Sequence, residues 1–138
     1  MTASVQQFPY VPRDPSLANA SLAPMAPPTL IGSQNVATTS LLDSGAAINV
    51  LPYTLGVQLG FVWEQQTRSV ELSGNLASVE ARVVVLSAVV RSFPPARLAF
   101  GWARTDEISI ILGQVSFFME FDICFFRNRG VFEVRPKS

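Results

Sequence analysis

Leu41-Leu42-Asp43-Ser44-Gly45-Ala46-Ala47 puts a carboxylate directly after an apolar strand and ahead of two turn-forming residues. An aspartate so placed sits where a buried strand opens into a loop. Gly45 lets the backbone turn and keeps its N–H accessible, and Ser44 sets a hydroxyl next to the carboxylate. Asp-Ser-Gly is also a common turn tripeptide, so its meaning depends on what surrounds it.

Working outward, the flanking segments read as strands. Leu30-Ile31 leads into a turn at Gly32-Ser33-Gln34-Asn35, and Val36 to Leu42 is an extended run rich in Thr and aliphatic residues. Residues 46–60 carry turn punctuation at Pro52, Gly56 and Gly60, and Leu51, Leu55 and Leu59 are spaced by four, which predicts a short helix or helical turn within this stretch. Residues 68–90 read as a hairpin, with Ser69 to Leu72, a turn at Ser73-Gly74-Asn75, and Ala77 to Val90. Ala96 to Trp102 forms another strand after Pro94-Pro95, and Ile108 to Leu112 is a short, nearly all-apolar run that predicts a buried strand. Phe121 to Phe126 and Val131 to Val134 flank the turn Arg127-Asn128-Arg129-Gly130. Strands dominate, turns recur and no βαβ alternation is present, so a mostly β domain with one or two short helices is expected.

Six of the ten prolines fall within residues 1–28, which favours an extended arm over a helix. The expected organisation is therefore a Pro-rich arm over 1–28 and a folded domain over 29–138. With 138 residues, 49% of them hydrophobic, the chain suffices for one compact domain. Charged residues make up 14% and the net charge is zero, so a basic footprint for nucleic acid is missing. No apolar stretch is long enough to span a bilayer, the longest being Val83 to Val90. A soluble cytoplasmic protein with neither nucleic-acid nor membrane partners is the expectation.

The chain has no His and a single Cys, Cys124. That removes Ser-His-Asp and Cys-His catalysis within the chain, histidine-ligated zinc and any intrachain disulfide. Cys124 is expected to pack as a small buried apolar group. Acid–base chemistry must then come from carboxylates, Tyr or Lys, and there are only ten carboxylates. Neither a metal nor another cofactor is expected.

The run Ile110-Ile111-Leu112-Gly113, with Gly113 placed 70 residues after Asp43 (113 − 43), completes a pattern. Asp-Ser-Gly, an intervening hairpin, and an apolar-apolar-Gly strand together resemble the retropepsin-like aspartic proteases. The bacterial single-domain and retroviral-type members are the nearest in character. The resemblance covers roughly residues 29–136. It implies a closed β-barrel-like acid protease fold, a single lobe completed as a homodimer. It also implies a downstream strand packed under the catalytic loop, with Gly113 permitting close approach, and a flap formed by the hairpin around Gly74-Asn75. Val115 to Glu120 would form a short helix and Val131 to Val134 a last strand at the dimer interface. Two features depart from the pattern: Ser44 stands where Thr is commoner, and the flap lacks the several glycines of viral enzymes.

In this resemblance Asp43 is the catalytic residue. One motif supplies one carboxylate, whereas the mechanism needs two, and a two-fold dimer provides the second. Two adjacent carboxylates cannot both ionise easily, so they share a proton. One activates water while its protonated partner polarises the scissile carbonyl of a polypeptide substrate. Ser44 and Gly45 are implied as organisers of the loop. Ala46, Gly74, Asn75 and Ile111 are implied as substrate contacts, and Val83-Val84-Val85 with Ile110-Ile111 suggest apolar pockets. The expected function is that of an aspartic endopeptidase. The alternatives are a catalytically silent dimerisation or peptide-binding module of the same fold, and an unrelated small β-barrel binding domain in which Asp43-Ser44-Gly45 is only a turn.

Other conspicuous residues have ordinary readings. Asp106-Glu107 suits a solvated loop, and Glu120 and Asp122 suit outward positions flanking Phe121 and Ile123. Trp63 and Trp102 fit core packing as well as a cleft wall. Phe117-Phe118, Phe121 and Phe125-Phe126 fit the core or a dimer interface.

Overall fold

The structure is a computed structural model that describes residues 4–13 and 22–137. Part of the expected arm, Pro15 included, lies outside them. In chain order the early strands are β1 (Gln6–Pro9), β2 (Val11–Pro12), β3 (Leu22–Ala23) and β4 (Met25–Ala26). Next come β5 (Pro28–Ile31), β6 (Asn35–Ala37), β7 (Ser40–Leu42) and β8 (Asn49–Leu51), then helix α1 (Tyr53–Gln58). The second half holds β9 (Ala81–Val90), β10 (Ala96–Ala103), β11 (Ile111–Leu112), helix α2 (Phe117–Glu120), β12 (Phe121–Phe126) and β13 (Val131–Pro136).

Eight strands make one sheet in the order β4-β7-β11-β8-β10-β9-β5-β6, and β1-β13-β12 make a second. The long pair β9–β10 is the frame. Along β10, Leu98, Phe100 and Trp102 are at most 1% exposed and face the core with the period of two that a strand imposes. Opposite them, Val84, Leu86, Ala88 and Val90 of β9 point the same way. Burying side chains of this size stabilises by about 1.5–3 kcal/mol each relative to leaving them exposed.

The eight-stranded sheet is open, which corrects the expectation of a closed barrel. Closure would require its two ends to pair. Those ends are β4 and β6, two and three residues long, and each bonds a neighbour on one side only. The run Val36–Leu42 is also two strands rather than one. Thr38 turns inward, its N–H and hydroxyl both donating to the Pro28 carbonyl at 3.0 and 2.7 Å. Beyond that break, β7 leaves β5 and joins β4 and β11.

Described residues of the Pro-rich segment take part in both of these sheets, and β2 pairs with β3 in a separate two-stranded sheet. Gln6–Pro9 pairs antiparallel with β13, and Phe8 is buried in a stack on Phe132, ring centroids 5.3 Å apart. Met25-Ala26 pairs with β7 immediately before Asp43. At the other end, β12 and β13 form the expected hairpin, with Gly130 taking the left-handed conformation its turn requires (φ 67°).

Cys124 is exposed rather than buried. On β12 the side chains alternate, so Phe121 turns into the core while Asp122 and Cys124 turn outward, and the apolar residues around Cys124 in sequence do not surround it in space. Of the aromatic run, Phe117 and Phe121 stack at 4.7 Å in the core, whereas Phe125 is exposed.

Helix α1 forms where the leucine spacing predicts it, seating Leu55 and Leu59 against the core. It lies so close to Trp102 that a Cβ on Gly56 would stand 2.2 Å from the indole nitrogen. Trp102 donates from that nitrogen to the Tyr53 carbonyl at 3.0 Å and stacks on the Tyr53 ring at 5.4 Å. Trp63 closes the group edge-on at 5.2 Å, so both tryptophans are core residues. No helix among the described residues is long and apolar enough to cross a membrane.

Gly56→Ala should therefore destabilise the protein. Overpacking against Trp102, about 1–3 kcal/mol, outweighs the helix-propensity gain of about 1 kcal/mol. Thermal unfolding followed by tryptophan fluorescence checks this, the expected result being a lowered Tm with a perturbed native spectrum.

Candidate active site

Asp43 begins the loop that follows β7. Its position is set by parallel pairing of β7 with β11, Leu41 opposite Ile111 and Leu42 opposite Leu112. The Asp43 N–H extends that ladder by donating to the Leu112 carbonyl at 3.0 Å. The chain then reverses: Ala46 N–H donates to the Asp43 carbonyl at 3.1 Å, and Gly45 N–H donates to Asp43 Oδ1 at 2.9 Å. This is an Asx-type turn in which the carboxylate orders its own loop.

Below the loop, strand β11 runs into Gly113. A Cβ on Gly113 would stand 2.6 Å from the Ile48 carbonyl oxygen and 2.7 Å from that of Ala46. Only glycine permits this approach, because the obstructing atoms are backbone. Gln114 N–H and Val115 N–H then donate to the carbonyls of Ala46 and Ala47 at 2.9 and 2.8 Å. The Gln114 side chain donates to the Ser44 carbonyl at 2.8 Å. The loop is thus clamped from below along residues 43–47.

Asn49 is the residue that sequence reasoning missed. It is fully buried, and its side chain accepts from Gly113 N–H at 2.8 Å while donating to the Ala99 carbonyl at 3.0 Å. One amide therefore joins β8, the residue after β11, and β10. The available signal was an Asn within Ile48-Asn49-Val50-Leu51, since a polar group buried in an apolar strand must be paired.

Asp43 lines two adjoining cavities. The larger is an open cleft of about 660 Å³, shared with Arg13, Asn75, Asp106, Glu107 and Ile111. The smaller, about 220 Å³, is shared with Gly45, Ala46, Ile48, Gly74 and Ile111. Asp43, Gly45, Ala46, Gly74, Asn75 and Ile111 thus gather around one hollow. Ser44 is exposed and lines neither cavity. Ser73 and Leu76, not singled out in the sequence, wall both.

The segment over this hollow is looser than a simple hairpin. Only residues 68–70 pair with β9, through Val83 N–H to Arg68 carbonyl at 2.8 Å and Val70 N–H to Ala81 carbonyl at 3.1 Å. A single turn of 3-10 helix, Gly74–Leu76, occupies the tip, with Gly74 at φ 63°. Among the described residues, the N–H groups of Glu71, Leu72 and Ser73 form no backbone hydrogen bond. Of the apolar residues expected to line pockets, Val84 and Ile110 belong to the core and Val85 is exposed outside the cavities. Val83 and Ile111 do line cavities.

Asp106 caps the start of α1, accepting from Thr54 N–H at 2.7 Å and from the Thr54 hydroxyl. The side-chain bond, followed by the backbone bond, holds its carboxyl below the usual 3.8. Among the described residues, no three His, Cys, Asp or Glu side chains cluster as metal ligands do.

A single Asp on a glycine-bearing loop, clamped by a downstream strand and covered by a hairpin segment, defines a retropepsin-like fold. Among solved structures, the chain is similar to a retropepsin-like aspartic protease from Rickettsia conorii, with a TM-score of 0.67 at 15% identity, covering 98% of this chain and 94% of that one. It is also similar to EIAV protease complexed with the inhibitor HBY-793, with a TM-score of 0.52 at 19% identity, covering 70% of this chain and 86% of that one. No protein-family model and no curated protein matches the sequence. At these identities the likeness is one of fold.

Asn49→Ala should leave Gly113 N–H and the Ala99 carbonyl without their partner, costing about 1–3 kcal/mol for each buried group left unsatisfied. Urea unfolding reads this as a lowered midpoint at an unchanged slope. A second expectation concerns Asp106. Its folded-state pKa is depressed, so its contribution to stability is full above the unfolded value and is lost as pH falls through the folded one. Thr54→Val should therefore lower the denaturation midpoint near pH 6 and lose that effect in strong acid, which paired urea titrations at the two pH values measure.

Proposed function

We propose that the protein is an aspartic endopeptidase acting as a homodimer, with Asp43 and Asp43 of the partner subunit as its two catalytic carboxylates. The observation that carries this reading is the setting of Asp43, a carboxylate oriented by Gly45 N–H on a clamped loop and facing a cleft. One chain supplies one such loop, and a two-fold axis beside it supplies the other.

In this mechanism the two carboxylates hold one proton between them. The ionised carboxylate takes a proton from water as the water oxygen adds to the scissile carbonyl carbon. The protonated one donates to the carbonyl oxygen. Collapse of the tetrahedral adduct breaks the C–N bond, and a proton passes to the leaving amine, yielding a carboxylic acid and an amine. Ser44, exposed at the loop, is assigned to contacts between the two loops. Ala46, Gly74, Asn75 and Ile111 are assigned to the substrate. Residues 71–76 act as the flap, offering the unpaired amides of Glu71 to Ser73 to an extended peptide by strand addition. The cytoplasm is the proposed compartment, since a chain with one cysteine needs no oxidising environment.

The test is peptide hydrolysis across about pH 3 to 7, the range in which paired carboxylates share a proton. Asp43→Asn should lower kcat by about 10²–10⁴-fold or more while leaving the fold intact by circular dichroism. Mixing excess Asp43→Asn subunits into the wild type should suppress activity through inactive mixed dimers. Full activity in Asp43→Asn, or an active species that sediments as a monomer, would overturn the reading.

A further inference from the structure

Arg13 stands in the wall of the larger cleft with Asp43, although 30 residues separate them in sequence (43 − 13). A relay of short pairings brings it there. Tyr10 N–H donates to the Gly130 carbonyl at 2.7 Å, which fixes one end of the segment. Val11 and Pro12 of β2 then pair with Ala23 and Leu22 of β3. The chain runs from β3 through Pro24, whose carbonyl accepts from Leu42 N–H at 3.0 Å, into β4 alongside β7. Arg13 follows the last residue of β2 and Asp43 the last residue of β7, so the two side chains leave the ends of linked strands.

Arg13 is exposed, and no described carboxylate forms an ion pair with it. The carboxylates that share its cleft are Asp43, Asp106 and Glu107. Asp106 is turned to Thr54, accepting from its N–H and hydroxyl, and Asp43 is turned to Gly45 N–H. Among the described residues Arg13 is the sole cation lining either Asp43 cavity. Its guanidinium therefore presents a planar fork of donors to a group entering the cleft. Such a fork matches a carboxylate in two parallel hydrogen bonds and stays charged across the whole working pH range.

We infer that Arg13 is a specificity-determining residue that selects peptides carrying an acidic side chain near the scissile bond. The inference rests on the peptidase reading and adds to it a charge requirement, supplied by the N-terminal arm rather than by the loops around Asp43. In the proposed dimer each subunit contributes one Arg13, so one acid-reading position lies on each side of the cut. The pair forms as the substrate binds and takes no part in bond breaking, so it lowers KM and leaves kcat unchanged.

The experiment compares matched peptides carrying Glu, Gln or Lys at each position around the cut, at about pH 6, above the ordinary Glu pKa of about 4.3. The wild type should favour Glu over Gln by about fivefold in KM at one position on either side, the upper end for an exposed charge pair. Raising the salt to about 1 M should remove most of that preference, because the screening length falls to about 3 Å. Arg13→Gln should equalise Glu and Gln at those positions alone, and Arg13→Glu should turn the preference to Lys. Both variants should keep the native circular dichroism spectrum, since the side chain is exposed. A wild type without a charge preference, or one whose preference survives Arg13→Gln, overturns the assignment and leaves the peptidase reading standing. Faster cleavage of every peptide by Arg13→Gln also overturns it, since the arm then obstructs the cleft instead of reading the substrate. If the wild type cleaves nothing, the peptidase reading falls, and fluorescence anisotropy of the same labelled peptides decides the role of Arg13. Tighter binding of the Glu peptide, lost in Arg13→Gln, supports that role, and equal binding overturns it.

Discussion

The buried amide of Asn49 is where three strands meet. Its oxygen takes the Gly113 N–H and its nitrogen gives to Ala99, so β8, β10 and the end of β11 cannot shift independently. Both bonds lie where water cannot substitute, which makes the geometry nearly all-or-none: an unpaired amide there costs more than a paired one contributes. Gly113 is thereby held against the carbonyls of Ala46 and Ile48, and that contact fixes the height of the loop carrying Asp43. The carboxylate is positioned by backbone and a buried side chain, not by long flexible residues, which suits the catalytic role proposed for it.

A lone carboxylate held this firmly does little by itself. Hydrolysis of an amide needs a base for water and an acid for the carbonyl and amine; no His, Lys or Tyr lines the two cavities that Asp43 shares, and of the carboxylates in the larger one, Asp106 is engaged by Thr54 while Glu107 lies beside it. In the proposed dimer the completion is a second copy of the same loop, related by symmetry so that equal groups acquire unequal roles through one shared proton. The clamp under residues 43–47 suits that proposal, since two loops can meet in register only if each is rigid before they meet.

The parts of this arrangement that follow local rules were legible in the sequence. Asp-Ser-Gly after Leu41-Leu42, the leucine spacing of α1, the turn at Arg127–Gly130 and the apolar run ending at Gly113 each have a signature within a few residues. What escaped depends on long-range geometry. The burial of Asn49 is decided by strands β10 and β11, about 50 and 60 residues away. Cys124 looks buried because its sequence neighbours are aromatic, yet strand alternation turns it out. The expected barrel failed to close because β4 and β6 are too short to find each other, a matter of strand length at the sheet ends. Val84 and Ile110 were as apolar as Val83 and Ile111, and only the side of the sheet each one faces separates core from cavity.

Rigidity below Asp43 contrasts with the segment above it. Among the described residues, the N–H groups of residues 71–79 form backbone hydrogen bonds only to one another, those of Leu76, Ala77 and Val79 to Ser73, Gly74 and Leu76. Its main attachment is Leu72, buried at 4% exposure in the small cluster with Val50, Ala81 and Ala103. Lifting the segment exposes Leu72, at about 1.5–3 kcal/mol, together with the half-buried Leu76 and Val79 that pack on the same cluster, and breaks no ladder. The two sides of the cleft are thus held by different bonds: buried amides and backbone ladders below, and the apolar contacts of Leu72, Leu76 and Val79 above.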